Sequence, residues 1–210
     1  MTKVRLCAVA AGVATALAML LGASTAAAAA TASTHAPAWL DELHLGLLAH
    51  DVHFINGREN GADINLEANF TPPIPAPRSW PWLIRSLLTV YPTVGADINT
   101  AGYTSQFYFG WISRFQASPA VWADGTPGVL DRLFFNLGLG GSLNDGRRLT
   151  TDPNRMSLGS HLLFHVSGEV GVRLTRRLDL GVYFDHASNA GLDAGNESIN
   201  DLGMRVGWRF

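Results

Sequence analysis

Strand-length segments of alternating apolar and polar residues, a charged fraction of only 15% and a last segment ending in Phe210 predict an all-β fold. The specific form is an eight-stranded antiparallel transmembrane β-barrel of the bacterial outer membrane. A period of two gives each strand two unlike faces. Charge is scarce against the roughly 25% usual for soluble domains, and 22 glycines in 210 residues exceed the usual share of about 7%, so the exterior is not wholly wet. A lipocalin-like soluble barrel is the competing fold, because its strands alternate too. The membrane form is favoured by segments of about 10 residues or more, as a tilted spanning strand requires. It is favoured also by Tyr103, Phe115, Trp208 and Phe210, which gather at segment ends as interfacial girdles do.

The chain opens with Lys3 and Arg5, then an apolar run from Leu6 to Leu21 and small residues through Ala30. This is the layout of a secretory signal over 1–30, with cleavage expected between Ala26 and Ala32. An uncleaved anchor is the alternative, weakened by the Ala-rich, Gly-interrupted second half of the run. Residues 31–210 are then one barrel domain of an exported protein, with no further apolar stretch long enough for a spanning helix. The single cysteine, Cys7, lies in the leader, so disulfides and Cys-based zinc sites are excluded. A net charge of −2 excludes a strongly basic nucleic-acid binder, and no nucleic-acid partner is expected.

The strands follow in order. Over 42–50, Leu43, Leu45, Leu47 and Ala49 alternate with Glu42, His44, Gly46 and His50. Over 61–70, Ala62, Ile64, Leu66, Ala68 and Phe70 form one face, and Asp63, Asn65, Glu67 and Asn69 form the other. Further segments are 88–99, 103–115, 130–142, 158–174, 178–189 and 200–210; Met204, Val206, Trp208 and Phe210 alternate in the last with Gly203, Arg205, Gly207 and Arg209. With both ends of the barrel domain periplasmic, the outer loops fall near 52–60, 99–102, 143–157 and 190–199. The periplasmic connections are 71–87, 116–129 and a tight turn at Leu174–Arg177. The first of these is Pro-rich, long for its place, and compatible with a short helix or interfacial segment.

Parity also locates the candidate chemistry. Leu178, Leu180, Val182 and Phe184 share the lipid face of the seventh segment, and the count continues to His186 and Ser188. Two residues apart on one strand face, an imidazole and a hydroxyl are neighbours within hydrogen-bonding reach. Asn200 shares the outward parity of Met204 and Phe210 on the eighth segment, which pairs antiparallel with the seventh. His186, Ser188 and Asn200 are therefore expected to converge on the outer rim of the wall. The bland reading is that they only mark where the wall ends and the wet loop begins.

The string Asp185-His186-Ala187-Ser188-Asn189-Ala190-Gly191-Leu192, with Asn196-Glu197 and the terminal Leu202–Phe210, resembles the lipid A 3-O-deacylase (PagL-like, acyloxyacyl hydrolase) family. Ala96–Ser105 is similar to that family's segment around the second outer loop. The resemblance implies an eight-stranded outer-membrane barrel whose serine esterase site removes the acyl chain at position 3 of lipid A. It implies His186 as general base, Ser188 as nucleophile, and lipopolysaccharide of the outer leaflet as partner, with no cofactor and no metal. The family's third position, fourteen residues after the His, is usually a carboxylate, and here it is Asn200. An Asn orients an imidazole by accepting from its ring N–H, but does not offset the imidazolium charge. The His-x-Ser and distant Asn spacing is similar to that of outer-membrane phospholipase A. Glu197, three residues early, is the alternative third member; Asp201 has the wrong parity.

Acyl transfer needs donors for an oxyanion, and the candidates are the backbone N–H groups of Asn189, Ala190 and Gly191 or the Asn189 side chain. Arg147, Arg148 and Arg155, in the third outer loop, are candidates for substrate phosphates, with solvated loop charges as the alternative. His161, His165 and Glu169 share lumen parity on the sixth segment and read as an interior hydrogen-bond network rather than a metal site. The alternative functions are a phospholipase A-like esterase and a non-catalytic structural or adhesion barrel. Oligomeric state is left open.

Overall fold

The structure, a computed structural model, describes residues 39–52, 57–116, 128 and 130–210. The expected leader over 1–30 and most of the 116–129 connection lie outside these residues. The elements are β1 Leu40–Ala49, β2 Ala62–Phe70, α1 Trp82–Leu88, β3 Val90–Asn99, β4 Gln106–Gln116, β5 Leu133–Asn144, β6 Leu162–Arg173, β7 Leu178–Ser188 and β8 Ile199–Arg209. Each strand pairs antiparallel with the next, and β8 returns to β1, closing the barrel. Closure satisfies every edge, which lipid requires because it offers backbone N–H and C=O groups no partner. This is an eight-stranded antiparallel barrel of the outer-membrane type.

Parity decides the two faces as expected. Leu45, Leu66, Phe107, Leu139, Phe164 and Val182 are exposed on the outside, while Asp63, Asn65, Glu67, Asn69, Asp97 and Asp185 are buried in the lumen. A lumen this narrow is filled by side chains. Gly95 makes room for one of them, since a Cβ there would lie 2.2 Å from the Tyr108 ring. Expected and observed strands differ at their ends. Residues 103–105, 130–132 and 158–161 are turns or irregular rather than strand, with Leu130–Arg132 forming one turn of 3-10 helix. His161 is consequently exposed at the rim, its Nδ1 3.1 Å from the Asn144 carbonyl, apart from His165 and Glu169. Within the Pro-rich 71–87 connection the chain forms α1, which starts directly after Pro81, a residue that cannot donate within a helix.

The lumen holds a charge network centred on Arg205. Its guanidinium bonds Glu67 at 2.8 Å and Glu169 at 2.7 Å, and lies 3.7 Å over the Tyr183 ring. Tyr108 donates to Glu67 and Asn136 to Glu169. All these partners are buried, and the guanidinium is the basic group nearest to both carboxylates, with His44 Nδ1 lying 4.0 Å from Glu169. Higher in the lumen, Gln106 donates to both Asp97 and Asp185, and His165 lies 3.0 Å from Asp185 while stacking on Tyr108 at 4.4 Å. His165 and Glu169 thus belong to interior networks, as the parity argument expects.

Replacing Arg205 by Ala removes the guanidinium shared by two buried carboxylates and is predicted to cost about 3–5 kcal/mol. Equilibrium urea unfolding in lipid vesicles measures this. The Arg205→Met, Glu67→Gln, Glu169→Gln triple variant should recover most of the loss.

Candidate active site

Residues His186 and Ser188 end β7 on its outward face, and His186 is the direct cross-strand partner of Asn200 on β8. The three side chains form one hydrogen-bonded line. His186 Nε2 lies 2.9 Å from Ser188 Oγ, and Nδ1 lies 2.8 Å from Asn200 Oδ1. An amide oxygen only accepts, so Nδ1 carries the proton and donates. That leaves the Nε2 lone pair facing the serine hydroxyl, the tautomer a general base requires. Asn200 is buried, whereas His186 and Ser188 are half-buried at the rim.

The Asn amide has two unlike ends, and something must present its oxygen to the imidazole. Asn200 Nδ2 donates to Ser198 Oγ at 3.1 Å and more weakly to the Ser198 carbonyl at 3.4 Å. These two acceptors hold the NH2 end away from His186. The sequence argument missed Ser198. Its signal is the Ser two residues before the Asn, on the same strand parity.

Behind the line, the wall is braced from within. Ala187 faces Ile199 across β7 and β8, and both pack with Met156, Leu158 and Leu163 in a fully buried apolar cluster. Met156 and Leu158 belong to the third outer loop, which therefore plugs the barrel mouth directly behind the site. Asp185 and Asp201, cross-strand partners one step inward, face the lumen.

After Ser188 the chain turns sharply. Ala190 has φ 56° and Gly191 φ 76°, two consecutive left-handed residues. Gly accepts this freely, but for Ala it costs about 1–2 kcal/mol, strain of a kind that collects at functional sites. The expected oxyanion donors divide in this turn. The Asn189 side chain is engaged, donating to the carbonyls of Leu158 and Gly195, and the Gly191 N–H is used by Asn189 Oδ1 and Asn196 Oδ1. The Ala190 N–H has no partner among the described residues and is a free donor of the set.

Other candidates are placed elsewhere. Glu197 does not reach His186: one oxygen accepts from the Ser157 N–H at 2.6 Å and the other from Arg58 at 2.6 Å, tying the third and fourth outer loops to the first. Arg148 bonds the Gly159 carbonyl and Asp193, while Arg155 bonds the Gly102 carbonyl and stacks 4.8 Å over Tyr103. Both are used within the loops. Arg147 is exposed.

An apolar groove starts beside the serine. Its outer part, about 380 Å³, is lined mainly by Leu162, Phe164, Leu192 and the glycines 140 and 141, with Ser160, Asn189 and Asp193 as its polar members. Phe164 is the cross-strand partner of Ser188. Gly140, Gly141 and Phe164 also line a second stretch of about 400 Å³ that continues down the wall past Phe109 and Trp111. Gly141 holds an outward position without a side chain, so the wall is indented there.

One charged cluster ties the first outer loop to the barrel. His50, just beyond β1, bonds Asp63 at 2.7 Å and Glu59 at 3.3 Å, with Asp201 at 3.2 Å. Burial by itself would lower this imidazole, but hydrogen bonds to Asp201, Asp63 and Glu59 outweigh it and push it up to about 12. Burial would likewise raise Glu59, but bonds from His50 and the Thr104 and Met156 N–H groups hold it below the usual carboxylate value. His50, Asp63 and Asp201 also lie close enough to share an ion.

A family model described as Lipid A 3-O-deacylase (PagL) matches residues 88–209, more than half of the chain. Among solved structures, the chain is similar to one titled "Crystal structure of the outer membrane enzyme PagL". The identity is 18%, the match covers 80% of this chain and 99% of that chain, and the TM-score is 0.58, a likeness of fold. Neisserial surface protein A matches at 12% identity over 83% of this chain and 98% of its own, with a TM-score of 0.45. The N-terminal β-barrel domain of Pseudomonas aeruginosa OprF matches at 12% over 82% and 99%, also at 0.45. No curated protein matches the chain.

The His50 cluster predicts a pH window. A raised imidazole adds stability that is full below its unfolded value of 6.5 and is lost as pH rises towards about 12. A lowered carboxyl adds stability that is full above 4.5 and is lost as pH falls through its folded value. The contribution of the pair is therefore greatest between pH 4.5 and 6.5. In His50→Gln, unfolding measured from pH 6 to 11 should show a smaller alkaline loss of stability than the unsubstituted protein.

Proposed function

The chain belongs to the PagL lipid A 3-O-deacylase family, and from that premise we propose that it is a serine esterase hydrolysing the 3-O-linked acyl chain of lipid A in the outer leaflet. The observation that carries this reading is the unbroken line Ser188–His186–Asn200, facing lipid at the outer rim. Polar side chains on a lipid-facing wall are costly, and these three satisfy one another in an order that suits acyl transfer. The groove that begins at Phe164 and Asn189 supports a hydrocarbon substrate, because it is apolar and lies along the wall beside the serine.

In this mechanism His186 Nε2 takes the Ser188 hydroxyl proton as Oγ attacks the ester carbonyl. The tetrahedral oxyanion is met by the Ala190 N–H, which the left-handed turn leaves available. The imidazolium then returns the proton to the departing sugar oxygen as the carbon–oxygen bond breaks, leaving an acyl-serine. Water, deprotonated by His186, releases the fatty acid and restores the serine. Asn200 keeps the imidazole in the productive tautomer without neutralising the imidazolium. Ser198 is the positioning residue that keeps the Asn200 oxygen towards His186. A carboxylate at this position has two equivalent oxygens and needs no such help.

Mass spectrometry of lipid A from cells expressing the protein tests the reading: one 3-linked acyl chain should be lost. Unchanged lipid A with released phospholipid fatty acid, or no change at all, overturns it. Ser188→Ala should lower the rate at least ~10³-fold while the barrel still migrates as a folded, heat-modifiable band. Ser198→Ala should lower kcat several-fold, in keeping with a net hydrogen bond of about 1 kcal/mol, and leave KM unchanged. In an Asn200→Glu background the same change should have no effect on kcat.

A further inference from the structure

The long periplasmic connection has surface properties the barrel does not need for closure. α1 lies against the outside of the wall, not under its end. Ser113 occupies an outward position on β4 yet is only 5% exposed, because α1 covers it and its hydroxyl donates to the Leu87 carbonyl at 2.8 Å. Towards the outer end of the same strand face, Phe107, Phe109 and Trp111 remain exposed to lipid. The helix therefore stands at the periplasmic edge of the apolar belt and continues it sideways.

No residue of α1 is buried. Trp82, Leu83, Ile84, Leu87 and Leu88 are all exposed, and Trp80 just before them is 43% exposed. Large apolar side chains left in water forgo the gain of burial, so a helix with five of them is not a water-facing element. The segment is held in this position. Ala76 N–H bonds Thr89 Oγ, Trp80 N–H bonds the Pro77 carbonyl, and Thr89 N–H closes onto Arg85, so the Pro-rich lead folds back on the base of β3.

Charge indicates what covers it. From residue 71 to residue 96 the chain carries two arginines, Arg78 and Arg85, and no acidic residue. Apolar side chains, tryptophans and arginines without acids are the composition of an element lying in a lipid interface, where aliphatic and ring parts enter the acyl region and guanidinium heads reach phosphates. We propose that residues 74–88 are a lateral anchor in the leaflet at the periplasmic end, with α1 in the acyl–headgroup boundary and Arg78 and Arg85 on the phosphates of anionic glycerophospholipid. The anchor sits on β3 and β4, half-way round the closed barrel from β7 and β8 and at the opposite end from the serine. It fixes the depth of the barrel independently of the outer site.

The test uses Leu83→Cys and Ile84→Cys in the full chain carrying Cys7→Ser, each spin-labelled and reconstituted in phosphatidylglycerol vesicles. Electron paramagnetic resonance compares collisions with oxygen, which concentrates in lipid, against a water-soluble nickel complex. Both labels should behave like a label at Leu45 in the belt, with the nickel collision rate at least threefold below that of a label at Thr151 in the third outer loop. Nickel access equal to the Thr151 control overturns the proposal. Arg78→Glu with Arg85→Glu should raise nickel access at Ile84→Cys at least twofold in phosphatidylglycerol and leave it unchanged in phosphatidylcholine. No change in either lipid overturns the assignment of the arginines to anionic phosphate. Heat-modifiable migration establishes in each case that the barrel is folded.

Discussion

A chain in lipid has no water to satisfy its backbone, and that constraint governs the rest of this structure. Every N–H and C=O of the eight strands must find a partner in a neighbouring strand, so β8 must return to β1. Once the sheet is closed, the strand period sorts side chains into those that meet hydrocarbon and those that fill the lumen. The lumen is too narrow to hold bulk water, and its acids and amides must satisfy each other. Arg205 does this between Glu67 and Glu169, and Gln106 does it between Asp97 and Asp185.

The same constraint gives the outward trio its meaning. On a wall that faces hydrocarbon, an imidazole, a hydroxyl and an amide are tolerated only where each has a partner. His186, Ser188 and Asn200 supply those partners to one another, with Ser198 completing the amide. Direct cross-strand pairing of His186 with Asn200 makes their separation a property of the ladder, and the apolar plug of Met156, Leu158, Leu163, Ala187 and Ile199 keeps that part of the ladder from flexing. A site built on strands is held more firmly than one on loops, and the strained turn at Ala190 is anchored to the end of such a strand.

An amide in place of a carboxylate shifts part of the orienting task to a neighbour. A carboxylate accepts from either oxygen, so its rotation about the last bond is harmless. Rotation of Asn200 would present N–H to N–H and break the line. Ser198 removes that freedom, with a hydroxyl two residues away on the same face.

Much of this was legible from residue order. Eight period-two segments determined the number of strands, and odd and even positions determined which side chains face lipid, because a strand has no other way to place successive Cβ atoms. Parity therefore puts His186, Ser188 and Asn200 outward and His165 and Glu169 inward, but it fails for His161, which the same count puts in the lumen and which lies exposed before β6 begins. Strand ends were less certain, as at 158–161, where hydrogen bonding rather than polarity decides. What tertiary structure alone decided lies in the loops and the periplasmic segment, where no period constrains the chain. Glu197 is taken by Ser157 and Arg58, the Asn189 amide by Leu158 and Gly195, and Arg148 by Asp193. The placement of α1 on the outside of β4 is of the same kind. Periodicity is a local property of the chain; partners that come together from distant loops are not, and only the folded molecule selects them.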